Sequence, residues 1–135
     1  MEEKYMKIAL QQARTAFNNG DVPVGAVIIK NGEIISRAYN RRERDQDATA
    51  HAEIIAIKKA CRRLNSWRLN DCVMYVTLEP CSMCMGAIQQ SRISKVVYGT
   101  KNIKEASGLL QVEYNNLFED ESAQLLQTFF QNRRN

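Results

Sequence analysis

One histidine and two of the four cysteines in this 135-residue chain stand where they can share a metal ion. His51 opens the run His51-Ala52-Glu53, and Cys81 and Cys84 form Cys81-Ser82-Met83-Cys84 directly after Pro80. Two cysteines separated by two residues are a common zinc half-site, and the imidazole supplies a third ligand. A structural zinc would need a fourth protein ligand, and neither remaining cysteine can provide it. Cys61 lies on what reads as the same helix as His51, about 15 Å farther along its axis at ~1.5 Å per residue. Cys72 precedes the apolar run Val73 to Leu78, and a strand of that length carries it roughly 20 Å or more from Cys81. Three protein ligands leave one position open, the arrangement of catalytic rather than structural zinc.

Glu53 turns the expectation of an open zinc into the expectation of an enzyme. A zinc-bound water has its pKa lowered to about 7, so a nucleophile is available at neutral pH. Metal-assisted hydrolysis also needs protons carried between water and leaving group, and a carboxylate beside the metal can carry them. Taken singly, each residue has a plainer reading: a capping histidine, a redox Cys-x-x-Cys pair, an acid complementing a helix dipole, and Met83 and Met85 as core filler. The combination favours a hydrolase with one Zn2+ per chain, because each ligand unit follows an extended or loop stretch and opens a helix.

The elements that must position these residues follow from periodicity and turn chemistry. Met6, Ala9, Leu10, Ala13 and Phe17 recur at helical spacing, and Asn18-Asn19-Gly20 supplies a stop, predicting an amphipathic helix over residues 2–19. Gly25 to Lys30 and Glu33 to Tyr39 are rich in Val and Ile and flank Asn31-Gly32, which predicts two antiparallel strands joined by a two-residue hairpin. Asn40 to Thr49 reads as a polar loop leading into His51. Residues 50–63 read as a second helix, Val73 to Leu78 as a third strand, and Pro80 as the start of a helix whose first turn holds both cysteines. The positive end of that helix favours thiolates. Lys95 to Tyr98 forms a fourth strand and Val112-Glu113-Tyr114 a short fifth one. Leu117 to Arg134 contains a final helix with Leu125, Leu126, Phe129 and Phe130 on its apolar side. Alternation of strands and helices makes this an α/β fold with a central sheet. Thr100 to Gln111 is at the lower limit of length for a parallel crossover, so the pairing of the fifth strand stays open.

Length and 44% hydrophobic content fit one domain spanning residues 1–135, large enough to bury a core. No apolar run reaches membrane-spanning length, and the start Met1-Glu2-Glu3-Lys4 lacks a signal pattern. A cytoplasmic protein with reduced thiols is therefore expected, its Cys61 and Cys72 being ordinary residues rather than disulfide partners. The net charge of +4 and a pI near 9.0 favour an anionic partner such as nucleic acid.

Thr49-Ala50-His51-Ala52-Glu53 and Leu78-Glu79-Pro80-Cys81-Ser82-Met83-Cys84 match the His-x-Glu and Pro-Cys-x-x-Cys signature of zinc nucleobase deaminases. The flanking stretches Asp21-Val22-Pro23-Val24-Gly25-Ala26, Tyr39-Asn40, Ser66-Trp67-Arg68-Leu69, Ser91-Arg92-Ile93, Val96-Val97-Tyr98-Gly99 and Phe129 to Arg134 narrow the match. Over most of its length the chain resembles the bacterial tRNA adenosine deaminase family of the cytidine-deaminase-like superfamily. The resemblance implies a three-layer α/β/α sandwich with a mixed five-stranded central sheet. It also implies a homodimer and conversion of the wobble adenosine of a tRNA anticodon to inosine. By position, His51, Cys81 and Cys84 would hold zinc and Glu53 would shuttle protons. Asn40 would hydrogen-bond the purine through both donor and acceptor, and Val24, Ala26 and Ala52 would help line its pocket. Arg133 and Arg134 would meet RNA phosphates. Two departures stand out. Ala48 replaces the family's usual Pro, and the segment after Leu110 is shorter and lacks an Asn-His-Arg-like stretch that helps grip the anticodon loop.

The leading expectation is thus a zinc-dependent hydrolytic deaminase whose partner is a tRNA anticodon stem-loop. The shortened segment keeps open the same chemistry on a free nucleobase or nucleoside, such as guanine, cytosine or a related heterocycle. A non-catalytic zinc-stabilised RNA-binding subunit is the rival of another class, and the presence of Glu53 weighs against it.

Overall fold

A computed structural model describes residues 2–100, 112–114 and 119–133. Its first helix, α1 (Glu2–Asn18), is followed by the hairpin strands β1 (Gly25–Lys30) and β2 (Glu33–Tyr39). Asn31 and Gly32 both take positive φ, 50° and 77°, the turn geometry whose twist matches that of the flanking strands. A single turn, α2 (Arg42–Asp45), interrupts what the sequence reads as loop, and α3 (Ala52–Leu64) follows. Strand β3 (Cys72–Leu78) leads through α4 (Ser82–Gln90) to β4 (Lys95–Thr100). The three-residue β5 (Val112–Tyr114) and α5 (Glu119–Arg133) complete the order.

The sheet runs β2-β1-β3-β4-β5, with β1 antiparallel to β2 and β3, and β4 parallel to both β3 and β5. The short fifth strand therefore pairs in parallel, and its crossover falls on residues 101–111, outside the described residues. Alternate residues of each central strand face opposite layers. Val27, Ile29, Tyr75 and Val97 pack with Met6 and Ala9 of α1 on one face. Ala26, Ile28, Met74, Val76 and Val96 pack on the other with Ala52, Ala56 and Ala60 of α3 and Met85 and Ile88 of α4. Helix α5 joins the α1 side, touching α1, β3 and β4. The result is the α/β/α three-layer sandwich with a mixed five-stranded sheet.

This topology decides where the chemistry can sit. Strands β2 and β3 both run opposite to β1, so they point the same way, and each is followed by a helix on the same face of the sheet. The connections out of Tyr39 and Leu78 therefore emerge along one edge, next to the start of β1, where Gly25 pairs with Tyr39 and Ala26 with Val76. Open α/β sheets bind ligands in the crevice at such carboxyl ends.

Small residues allow α1 to lie close on β1. Ala16 rather than Phe17 is the fully buried residue of its last turn. A Cβ at Gly25 would meet the Ala9 carbonyl oxygen at 2.0 Å and the Ala13 nitrogen at 2.6 Å. Gly86, inside α4, faces open space. The two glycines should thus respond oppositely to alanine in urea unfolding. Gly25→Ala is expected to cost about 3 kcal/mol or more through backbone overpacking, and Gly86→Ala to stabilise by about 0.5–1 kcal/mol through helix propensity.

Candidate active site

His51 and Cys81 occupy equivalent places in the fold, each as the N-cap of the helix that follows a parallel-pointing strand. Both have extended backbone, with φ −76° and ψ 151° for His51 and φ −71° and ψ 174° for Cys81, and neither side chain caps its own helix. Residues at this position ordinarily turn a side-chain oxygen back on the free helix amides. Here the imidazole and the sulfur face one another instead, which disposes of the capping role for His51. The Nδ1 atom of His51 lies 3.8 Å from the Cys81 sulfur and 3.5 Å from that of Cys84, one turn into α4. The ligand atoms of these three residues all fall within 4.8 Å of one another. Cys61 lies well along α3, and Cys72 opens β3 at the end opposite Leu78.

Glu53 completes the cluster from the first turn of α3. Its side chain is buried, 4% exposed, and shares a hydrogen bond with the Cys84 thiol. Burial pushes its carboxyl up to about 7, against the opposing pull of bonds to its own backbone N–H and to Cys84. A carboxyl in that range can both accept and release a proton at neutral pH. Burial also lowers the basicity of His51, helped by the nearby Arg42 guanidinium. The Cys84 thiol is pushed well up, chiefly by burial and then by the Glu53 and Cys81 charges. The helix start does not offset this burial at Cys84, and a cation held by the cluster would favour its thiolate.

A cleft of about 320 Å³ opens onto this cluster. His51, Glu53 and Cys81 line it together with Val24 and Asn40, while Cys84 lies fully buried beneath. Ala26 and Ala52 are fully buried in the core and are not among the lining residues. The Asn40 carboxamide is oriented by its neighbour, since its Oδ1 accepts the Arg42 N–H at 2.9 Å. One lone pair of its oxygen is thus engaged within the protein, which turns the Nδ2 donors away from Arg42. Arg133 ends α5, and Arg134 lies outside the described residues.

Sequence reading missed several walls of the cleft. Phe130 lines it, 48% exposed and packed edge-on against Phe129, which alone of the two is buried. The apolar side of α5 thus splits between core and cleft, a division that helical spacing cannot reveal. Val22, Arg42, Leu78 and Glu79 also border the space. Of these, Leu78 and Glu79 had a signal in their place directly before Pro80.

Comparison with known proteins agrees with this arrangement. The family model of MafB19-like deaminases matches residues 1–134. A tRNA-specific adenosine deaminase of Aquifex aeolicus is 46% identical, the alignment covering 99% of this chain and 97% of that protein. A solved structure from work on A-to-I editing by tRNA:A34 deaminases at the wobble position superposes with a TM-score of 0.85 at 39% identity, covering 91% of this chain and 99% of the other. The guanine deaminase of Bacillus subtilis superposes with a TM-score of 0.70 at 31% identity, over 96% and 93% of the two chains.

The geometry separates the four thiols into two kinds. Cys81→Ser and Cys84→Ser are each expected to weaken zinc binding by more than about 100-fold, beyond what loss of an outer-shell contact causes. Cys61→Ala should leave one ion per chain, as measured by metal analysis after dialysis.

Proposed function

Because the chain belongs to the MafB19-like deaminase family, we propose that it is a zinc-dependent hydrolase that converts the wobble adenosine of a tRNA to inosine with release of ammonia. The observation that carries this reading is the Glu53 carboxyl, buried against the His51-Cys81-Cys84 cluster at the floor of an open cleft. One imidazole and two thiols form a donor set suited to zinc, and three ligands leave room for a solvent molecule. Zinc, when bound, makes that water a nucleophile at neutral pH.

The chain's own residues supply the rest. Glu53 takes the proton released by the attacking water and delivers it to the departing nitrogen of the amine-bearing carbon, and a pKa raised to about 7 suits both halves of the transfer. Asn40 donates through Nδ2 to an acceptor on the base edge, and Val24 offers it an apolar contact. Phe130 stands at the cleft with an exposed ring, positioned to stack on a base flipped out of its strand. The same helix ends at Arg133, and we assign Arg133 and Arg134 to phosphate contacts beyond the cleft. The net charge of +4 supports an RNA partner, and the family resemblance supports a cytoplasmic homodimer. Among the described residues no helix is long and apolar enough to cross a membrane.

A free purine base is the second reading, favoured by the likeness to the Bacillus subtilis guanine deaminase over nearly the whole chain. Side-by-side ammonia release from an anticodon stem-loop RNA and from free guanine, adenine and cytosine separates the two, with turnover of the RNA alone expected. On the favoured substrate, Glu53→Gln should keep its zinc and lose about 10²–10⁴-fold in kcat. Undiminished turnover by that variant would remove Glu53 from the reaction.

A further inference from the structure

Asp21 takes no part in the chemistry above, yet its carboxylate is buried and bonded to two backbone amides beside the cleft. It is 0% exposed. The end of α1 delivers it there: Gly20, at φ 81°, donates to the Phe17 carbonyl at 3.0 Å, and the Asp21 N–H donates to that of Ala16 at 2.9 Å. This is the Schellman closure of a helix, which fixes the direction in which the next side chain leaves. The Asp21 carboxylate then reaches across to α2. Its Oδ1 accepts the Glu43 N–H at 2.8 Å and its Oδ2 the Arg44 N–H at 3.0 Å.

Those amides are the second and third of α2, whose own N-cap, Arg41, makes no side-chain capping bond. The first amide, that of Arg42, is taken by Asn40 Oδ1 at 2.9 Å. The start of α2 is therefore closed by two side chains, one from the end of α1 and one from the wall of the cleft. A one-turn helix has almost no cohesion of its own. The turn has other ties, the Asp45 N–H donating to the Arg41 carbonyl at 2.8 Å and the Arg41 N–H to that of Ala50 at 2.9 Å. The Asp21 carboxylate, however, takes the Glu43 and Arg44 amides. Its loss frees both and loosens the Arg42 N–H against the Asn40 oxygen, the bond that sets which end of the carboxamide faces a ligand.

We propose that Asp21 is a positioning residue for substrate binding: through the first turn of α2 it holds the Asn40 carboxamide with its oxygen toward the Arg42 N–H and its Nδ2 donors toward the cleft. This deepens the function proposed above and rests on it for the identity of the ligand. The geometry also explains why the loop before His51 contains a helical turn that its polar, unpatterned sequence does not announce.

The test is Asp21→Asn, which keeps the side-chain size but sets an amide NH2 against one of the two backbone donors. In deamination of an anticodon stem-loop RNA, well below the melting temperature of the variant, KM is expected to rise about tenfold with kcat within about threefold of wild type. Asn40→Ala should show a similar loss, and the double variant should be no worse than Asn40→Ala by more than about twofold, because both changes remove one contact. In a 1H–15N spectrum, the Asn40 side-chain amide pair should move toward free-asparagine positions in Asp21→Asn. Should that variant prove too unstable, Asp21→Ser, which keeps one acceptor, is measured in the same way. An unchanged KM with a lowered melting temperature, or losses that multiply in the double variant, would overturn the proposal and leave Asp21 a stability residue only. If the wild type deaminates no RNA, the proposed function falls, and the Asn40 amide signals still decide the positioning role by moving or staying.

Discussion

Everything at this site depends on two helices starting side by side. Strands β2 and β3 run in the same direction with β1 between them, and each hands the chain to a helix on the same face of the sheet. The N-cap positions of α3 and α4 are thereby brought together, and these are the places held by His51 and Cys81. A nitrogen and two sulfurs from segments thirty residues apart meet within 4.8 Å because the strand order sets the two helix starts side by side. Rigid elements fix such a constellation better than loops do.

The same convergence explains the electrostatics. Helix starts carry partial positive charge, which favours anions, but burial works against ionisation. At Glu53 and Cys84 burial dominates, raising the carboxyl to about 7 and the thiol well above its ordinary range. A divalent cation reverses that balance for a sulfur it ligates. A carboxyl poised near neutrality is a cost to the folded protein and a requirement of proton transfer, the usual trade at an active site.

Around this centre the cleft wall is assembled from pieces that ignore sequence order. Val24 precedes β1, Asn40 follows β2, Leu78 ends β3 and Phe130 arrives on α5. Two of these pieces are tied by backbone, the Asn40 N–H donating to the Val24 carbonyl at 3.1 Å, and the next residue's N–H, that of Arg41, donates to the Ala50 carbonyl at 2.9 Å. The wall is thus braced by the chain that leads to His51. Asp21 extends this bracing to the end of α1.

The sequence alone picked out His51, Cys81, Cys84 and the neighbouring Glu53, because residue type and short spacing mark such a cluster directly. It also determined the hairpin, through Asn31-Gly32, and the core face of α1, through its period. These are local properties, legible wherever a few neighbouring residues decide the outcome. Only the tertiary structure decided that His51 and the cysteines share one end of the sheet and that Ala26 and Ala52 belong to the core while Phe130 belongs to the cleft. It alone showed that the Asn40 oxygen accepts the Arg42 N–H and that the Asp21 carboxylate caps α2, taking the Glu43 amide from 22 residues away. Each of these rests on strand order and on contacts between distant segments, and no pattern within a single segment carries that information.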